Sequence, residues 1–479
     1  MHEATRNIPR DEEAFYLKLK EIVKDVKLRD DFVVVHHYDA DGLTAGAITI
    51  KALEREGKKV SSKCLKQLYK ENIDEIRALG KNFLFVDFGS GQLDYLIEAF
   101  SENFFVLDHH QPVTVEGKIL EHKWHFNPLL FGIDGGKEIS GAGLAFLFAQ
   151  ELNKKNVDLA PLAIVGAVGD MQEYHGELIG LNKKILEIAS QEKLILVKKD
   201  LRLYGRISRP LVSFLLYSSS PILPGLTASE EGCVSFLAQN NIPTRDSFTN
   251  AFLSYEDLTQ EQKKRLISAL FLHLQNYNFP EWKLRELIGE TYTLVNEGPK
   301  SPLRDAKEFG TLMNSCGRHQ KYELGLKVCL GDRDLKGVYG EALAMLEQHR
   351  AALREGIQFV ERNGVQDKKY FYFFDAGTAI EESIVGIIAG MLYGSVIQED
   401  KPIIALAKNP DGTIKVSGRG TSSLVRRGLN IGKALKEISV ELKGVEGGGH
   451  RVAAGARVDE KVLDEFLELL GEKFEAQLN

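Results

Sequence analysis

The sequence predicts an α/β protein whose first half is built on a mostly parallel sheet. Three observations carry that prediction. Short apolar runs alternate with helical patterns through about residue 180, as successive βαβ units require. The runs Phe32-Val33-Val34-Val35, Phe83-Leu84-Phe85-Val86 and Phe104-Phe105-Val106-Leu107 are apolar throughout, as in strands buried on both faces. Each run ends in carboxylate or imidazole: His36-His37-Tyr38-Asp39-Ala40-Asp41-Gly42, Asp87-Phe88-Gly89 and Asp108-His109-His110. Open α/β sheets bind ligands at the carboxyl ends of their strands, so these groups are expected on one rim.

The elements follow in order. Residues 43–55 read as a helix opening directly after the Asp-Ala-Asp-Gly turn. Residues 141–153 form another, with Ser140 as its N-cap. Residues 160–168 form a compact apolar helix that runs into Gly169-Asp170. Between 183 and 209, eight Lys or Arg (183, 184, 193, 198, 199, 202, 206, 209) face three acids (Glu187, Glu192, Asp200). Beside a phosphate-handling site, that excess is expected to form a wall of a nucleic-acid groove, together with Arg426 and Arg427. Residues 214–290 read as mostly helical, broken by Pro221 and Pro224.

Residues 334–362 form one long, charged, amphipathic helix suited to bridge two domains. Strand–helix alternation then resumes, with strands at 370–374, 402–407 and 413–417 and a helix at 383–393. The expected organisation is a catalytic domain at 1–333 with a mostly helical insertion at about 210–300. A connecting helix at 334–362 and a smaller α/β domain at 363–479 follow, with a cleft between the domains.

Composition narrows the function class. With 479 residues, two or three domains are expected. Hydrophobic content of 43% and charged content of 27% are those of an ordinary soluble protein. A net charge of −7 argues against a uniformly basic coat, while leaving room for a local basic groove. The four cysteines (64, 233, 316, 329) form no CxxC pair, which points to a reducing compartment and away from zinc ribbons. The charged N-terminus has no signal-like apolar segment, and no stretch approaches the roughly 20 apolar residues of a spanning helix. A cytoplasmic protein without membrane contact is expected.

The acidic and histidine groups fit two hard divalent cations, Mn²⁺ or Mg²⁺, which favour oxygen ligands with some nitrogen. His37 and Asp39 are assigned to one ion, Asp41, His109 and Asp170 to the other, and Asp87 as the bridge. Two ions so held can clamp a phosphoryl oxygen for hydrolysis. His110 is then placed to contact the phosphate, and Asp108 to orient a neighbouring imidazole. His36 is the alternative to His37; consecutive strand residues point to opposite faces, so one of the two serves.

His-His-Tyr-Asp-Ala-Asp-Gly, Val86-Asp87-Phe88-Gly89, Asp108-His109-His110 and Gly169-Asp170 resemble the four successive motifs of the DHH phosphoesterase superfamily. Met313-Asn314-Ser315-Cys316-Gly317-Arg318 resembles an element of RecJ-type nucleases. The segment from Ser383 to Gly390, followed by Lys401-Pro402-Ile403, resembles the opening of their DHH-associated C-terminal domain. Ser417-Gly418-Arg419 and Gly447-Gly448-Gly449-His450 resemble its substrate-binding elements. The match runs from about 32 to 456. Many family members carry the first-motif histidine four residues before the first Asp, where this chain has Val35.

The resemblance implies catalytic roles for Asp39, Asp41, Asp87, Asp108, His109, His110 and Asp170. It implies substrate contacts from His110, Asn314, Arg318, Ser417, Arg419, Gly447, Gly448, Gly449 and His450. Arg318 and Arg419 offer bidentate forks for phosphate. Their small neighbours let a phosphate backbone approach, and the glycine loop offers main-chain N–H groups.

The expected activity is a two-metal exonuclease on single-stranded DNA, 5′ to 3′, in replication or repair, with RNA as a further candidate substrate. The GINS complex is a candidate partner, with 210–300 as the docking surface. Two alternatives are a phosphodiesterase of oligoribonucleotides or cyclic dinucleotides, and a replisome scaffold whose nuclease activity is secondary.

Overall fold

The structure is a computed structural model describing residues 8–218, 221–227, 229–277, 279, 281–393 and 396–478. It divides into two units, 1–346 and 347–479, with the boundary inside one long helix.

In the first unit, α1 (Glu12–Lys27) precedes β1 (Asp31–His37), α2 (Ala40–Arg55), β2 (Lys59–Leu65) and α3 (Ile73–Arg77). Next come β3 (Phe83–Val86), α4 (Leu93–Phe100), β4 (Phe104–Leu107), a short hairpin of β5 (Thr114–Val115) and β6 (Lys118–Ile119), and β7 (His125–Phe126). The sheet order is β2-β1-β3-β4-β7, with every pair parallel.

The apolar runs alternate between two cores, as a period of two requires. Phe32, Val34, Leu84, Val86, Phe105 and Leu107 join the core on the α2 face. Val33, Val35, Phe83, Phe85, Phe104 and Val106 join the core under α3 and α4. Burying each large side chain contributes about 1.5–3 kcal/mol, and that burial on both faces fixes the register. Because β2 and β3 lie on opposite sides of β1, the ends of β1 and β3 flank the topological switch point, where such sheets hold ligands.

α5 (Gly141–Leu152) and α6 (Ala160–Gly169) pack against α2, and α7 (Gly180–Gln191) against α6. β8 (Ile195–Leu201) and β9 (Ile288–Leu294) form an antiparallel ribbon. Between its strands lie α8 (Leu211–Leu216), α9 (Glu230–Gln239), α10 (Gln260–Asn276) and α11 (Glu281–Glu286). These helices carry a core of their own, including Phe214, Phe236, Tyr255 and Leu270. α12 (Ala306–Arg318) returns to pack on α6 and α2, followed by α13 (Tyr322–Cys329).

The long helix α14 (Val338–Asn363) starts later than its periodicity suggests. Asp334 accepts the main-chain N–H of Lys336 and bonds Gly337, so 334–337 is a turn. The second unit is a six-stranded sheet in the order β10-β11-β12-β13-β15-β14. It is made of β10 (Gln366–Asp367), β11 (Tyr372–Asp375), α15 (Val385–Met391), β12 (Ile403–Lys408), β13 (Ile414–Arg419), α16 (Ser422–Arg426), α17 (Ile431–Glu441), β14 (Val445–Gly449), β15 (Ala453–Val458) and α18 (Leu463–Leu478). β12 divides its side chains in the same way: Ile404 and Leu406 face the α17–α18 core, while Ile403, Ala405 and Ala407 face the α15 core. Among the described residues, no helix is long and apolar enough to cross a membrane.

Candidate metal centre

The ends of β1, β3 and β4 bring most of the anticipated groups together. Ligand atoms of His37, Asp39 and Asp87 lie within 4.8 Å of one another, as do those of Asp41, His109 and Asp170. Asp87 stands between the two sets. Its Oδ2 is 3.5 Å from His37 Nδ1 and its Oδ1 is 3.1 Å from His109 Nε2. Asp87, Asp41 and His109 form a buried floor, while His37, Asp39 and Asp170 are partly open to solvent.

Local structure explains the aim of each group. Asp39 is the N-cap of α2 and accepts the Gly42 N–H at 2.9 Å. Asp41 is gripped by the start of α5: its Oδ2 accepts from Gly141 N at 2.6 Å and its Oδ1 from Ala142 N at 2.9 Å. That approach requires glycine, because a Cβ on Gly141 would fall 2.4 Å from Asp87 Oδ1. Asp87 has a positive φ of 64°, a left-handed conformation that Asp tolerates better than most residues. His37 is the imidazole at the carboxylates. His36 turns the other way, with its ring against Gly46 and its Nδ1 on the His37 carbonyl.

The electrostatics suit a cation. Burial, joined by the charge of Asp87, pushes Asp41 well above the usual carboxylate range. Burial also raises Asp170, although His109 opposes it. Burial would lower His109, but Asp87, Asp170 and Asp41 together drive it well above normal. Burial would likewise raise Asp39, but His37 outweighs it and holds the carboxyl low. Asp41, Asp170 and His109 thus hold protons more readily than usual, and a divalent ion would displace them. Two atoms test the fit directly: His37 Nδ1 and Asp87 Oδ2 are both buried and neither makes a well-aligned hydrogen bond, although Asp39 Oδ2 lies 3.1 Å from Nδ1. Unpaired buried polar atoms are costly, and a cation between them would satisfy both.

Asp108 lies behind the centre and is fully buried. It accepts from Ser90 N at 2.9 Å and from His110 Nδ1 at 2.7 Å, which fixes the His110 proton on Nδ1. Burial would raise Asp108, but His110 and His109 hold it far below normal. Ser90, Asn127 and His125 extend this support. Asn127 donates to Ser90 Oγ and to the His110 carbonyl, while His125 Nε2 meets Ser90 Oγ at 2.8 Å. These residues escaped the sequence reading, since isolated polar residues beside short strands carry no pattern.

Several expectations need correction. Five of the eight cations in 183–209 have carboxylate partners: Lys183 with Glu290, Lys184 with Glu12, Lys198 with Glu256, Arg202 with Glu173, and Arg206 with Asp305 and Glu256. Arg206 is only 2% exposed. The stretch lies on α7, β8 and the turn beyond, and its charge is largely neutralised from within, so it is no basic groove wall.

Gly447, Gly448 and Gly449 are not a loop but edge strand β14, paired with Ala456, Gly455 and Ala454. Gly317 is small for a different reason than phosphate approach: a Cβ there would meet the Tyr38 carbonyl oxygen at 2.1 Å. Asn314 commits its amide to the main chain, accepting from Ala40 N at 2.9 Å and donating to the Gly169 carbonyl at 3.3 Å. It ties the turn before α2 to the turn that carries Asp170. Arg318 ends α12. In the second unit, Ser417 is buried on β13, Arg419 ends that strand with its guanidinium over Gly386, and His450 follows β14.

Comparison with known proteins gives the family. The description "DHH family, N-terminal domain" matches residues 31–167, "DHH-CID domain" residues 203–288, and "DHHA1 domain" residues 367–476. An uncharacterized protein of Methanocaldococcus jannaschii is 30% identical over 472 residues, covering 95% of this chain and 99% of that protein. The chain belongs to the RecJ-like DHH phosphoesterases. Two solved structures share this DHH fold. RecJ from Thermus thermophilus, in complex with Mn²⁺, matches with a TM-score of 0.59 and 18% identity, over 96% of this chain and 55% of its own. Cdc45 from Entamoeba histolytica matches with a TM-score of 0.62 and 15% identity, over 97% and 98%. The DHH-CID match coincides with the helices set between β8 and β9.

Proposed function

We propose that this DHH phosphoesterase is a divalent-metal-dependent exonuclease that degrades single-stranded DNA from 5′ to 3′. The observation that carries the reading is Asp87, whose two oxygens face two separate sets of ligand atoms. His37, Asp39 and Asp87 would hold one Mn²⁺ or Mg²⁺; Asp41, His109, Asp170 and the same Asp87 would hold the other. Bound there, the ions would supply an activated nucleophile and charge stabilisation for phosphodiester cleavage.

The chain's own residues do the rest. Asp108 accepts the His110 Nδ1 proton and favours the doubly protonated ring, and that ring, with a side chain 39% exposed, would donate from Nε2 to a substrate phosphate. The fork of Arg318 is assigned to the strand near the centre. Ser417, Arg419, the Gly447–Gly449 edge and His450 are assigned to holding it from the second unit. In the same reading, the DHH-CID region, with a core of its own, docks the protein on a replisome component such as the GINS complex.

Oligonucleotides labelled at either end, offered as DNA and as RNA with Mn²⁺ or Mg²⁺, test this reading. Stepwise loss from the 5′ end of DNA, abolished in Asp39→Ala and Asp87→Ala, is the expected result. Hydrolysis confined to dinucleotides would favour the small-substrate phosphodiesterase. No hydrolysis of any nucleic acid, with stable capture of GINS, would favour the scaffold.

A further inference from the structure

We infer that Gln172, itself held by Asn182, is a positioning residue that fixes both the tautomer of His109 and the aim of Asp170; this rests on the metal reading above. Gln172 is 2% exposed and Asn182 1%. Their amides form a chain whose polarity is set by the backbone. The Ser140 N–H can only donate, and it reaches Asn182 Oδ1 at 3.3 Å. The Asn182 amide nitrogen therefore faces Gln172 and donates to its Oε1 at 2.7 Å. That in turn places the Gln172 Nε2 protons on the other side. One reaches Asp170 Oδ2 and the other the Gly135 carbonyl, each at 2.9 Å.

The same Gly135 carbonyl lies 2.5 Å from His109 Nδ1. A carbonyl only accepts, so Nδ1 of His109 carries a proton, and Nε2, which faces Asp87 and Asp41, is the nitrogen left to an ion. Gln172 Nε2 stands 3.3 Å from Nδ1 without a free proton to give it, so its influence on the ring passes through the shared carbonyl. Ser140 also caps α5, whose first amides grip Asp41. One relay of Ser140, Asn182 and Gln172 thus braces Asp41, His109 and Asp170, the three residues assigned to one ion alone, and makes no hydrogen bond to His37 or Asp39. Neither amide follows from the motifs, because a single Gln two residues after Asp170 looks like surface.

The test is Mn²⁺ binding, by calorimetry and by the electron paramagnetic resonance of free ion, on full-length wild type, Gln172→Glu, Gln172→Met and Asn182→Asp, with thermal unfolding in parallel. In Gln172→Glu a carboxylate replaces the donor facing Asp170 at constant shape. In Asn182→Asp a second acceptor faces Gln172 Oε1. The expected result is two Mn²⁺ sites in wild type. In each variant one site should weaken about 10- to 100-fold while the other is retained, as for other residues that orient ligands. Gln172→Met tests the loss of the donor without added charge and should weaken the same site. Wild-type affinity at both sites in the folded variants, or equal weakening of both, would overturn the relay while leaving the two-ion reading intact. A wild type that takes up no Mn²⁺ would overturn that reading, and this inference with it.

Discussion

Asn314 closes on Ala40 across 274 positions of sequence, its Oδ1 accepting the Ala40 main-chain N–H at 2.9 Å while its Nδ2 reaches the Gly169 carbonyl. A residue from the RecJ-like element therefore acts as a clamp between two ligand-bearing turns. Asn314→Ala should cost about 1–3 kcal/mol, the usual consequence of stranding buried partners. It should also weaken Mn²⁺ at both sites, because Ala40 adjoins Asp39 and Asp41 while Gly169 adjoins Asp170. Asn314→Asp, which keeps the acceptor and loses the donor, should fall between. Chemical denaturation and Mn²⁺ titration of the three proteins would check this; unchanged metal affinity in Asn314→Ala would contradict the clamp.

Asp87 joins charge with an unusual backbone. Asp87→Asn preserves the tolerance for positive φ and removes the charge. Hydrolysis and binding of both ions should fall more than 100-fold, beyond the effect typical of a supporting residue. The melting temperature should hold or rise, because crowding among Asp41, Asp87 and Asp170 is relieved. A variant that lost only one ion would show that Asp87 is no bridge.

His125 is fully buried, and burial pulls its pKa down to about 4. The folded state therefore binds fewer protons than the unfolded one between about pH 6.5 and 4, and stability is lost as pH falls through that window. The contribution is on the order of 3 kcal/mol. His125→Gln, which can still bond Ser90 but cannot take up a proton, should lose less stability than wild type on acidification. Urea unfolding at pH 7, 5.5 and 4.5 reads the difference; parallel curves would rule it out.

Arg206 pairs with Asp305 and Glu256 in the interior, and Glu308, raised by burial and by Asp305 to about 7, lies close by. Arg206→Met should destabilise the protein by about 3–5 kcal/mol, because it abandons buried carboxylates. If the protein binds single-stranded DNA as proposed, the salt dependence of that binding in the remaining folded protein should not change. A flatter salt slope would restore the arginine to a nucleic-acid surface.

Much of this could be read from the residues alone. Strands buried on both faces declare themselves by apolar runs, and groups at their ends must share a rim, so the centre was legible from β1, β3 and β4. The Ser140 cap was legible because capping is local, whereas α2 begins at Ala40, capped by Asp39, three residues before the reading placed it. Pairing across long separations was not. Nothing in the sequence says that Lys183 finds Glu290, or that Arg206 lies inside rather than on a groove. The glycine triplet shows the opposite limit: glycine fits a loop and a close-packed edge strand equally well, and only the partners on β15 decide between them. Gln172 and Asn182 lay beyond reach because a relay of amides has no periodicity.

The grip of α5 on Asp41 bears on what happens when ions leave. Two amides at the start of a helix give the centre a fixed positive pole of its own. An emptied centre would therefore still have part of its negative charge answered, beside a sheet held by apolar cores on both faces. Small domains that depend on zinc collapse when stripped of it, whereas a chain with cores of this extent should fold first and load second. In the two-ion reading, the supply of metal would govern when the enzyme works, and have little say in whether it persists.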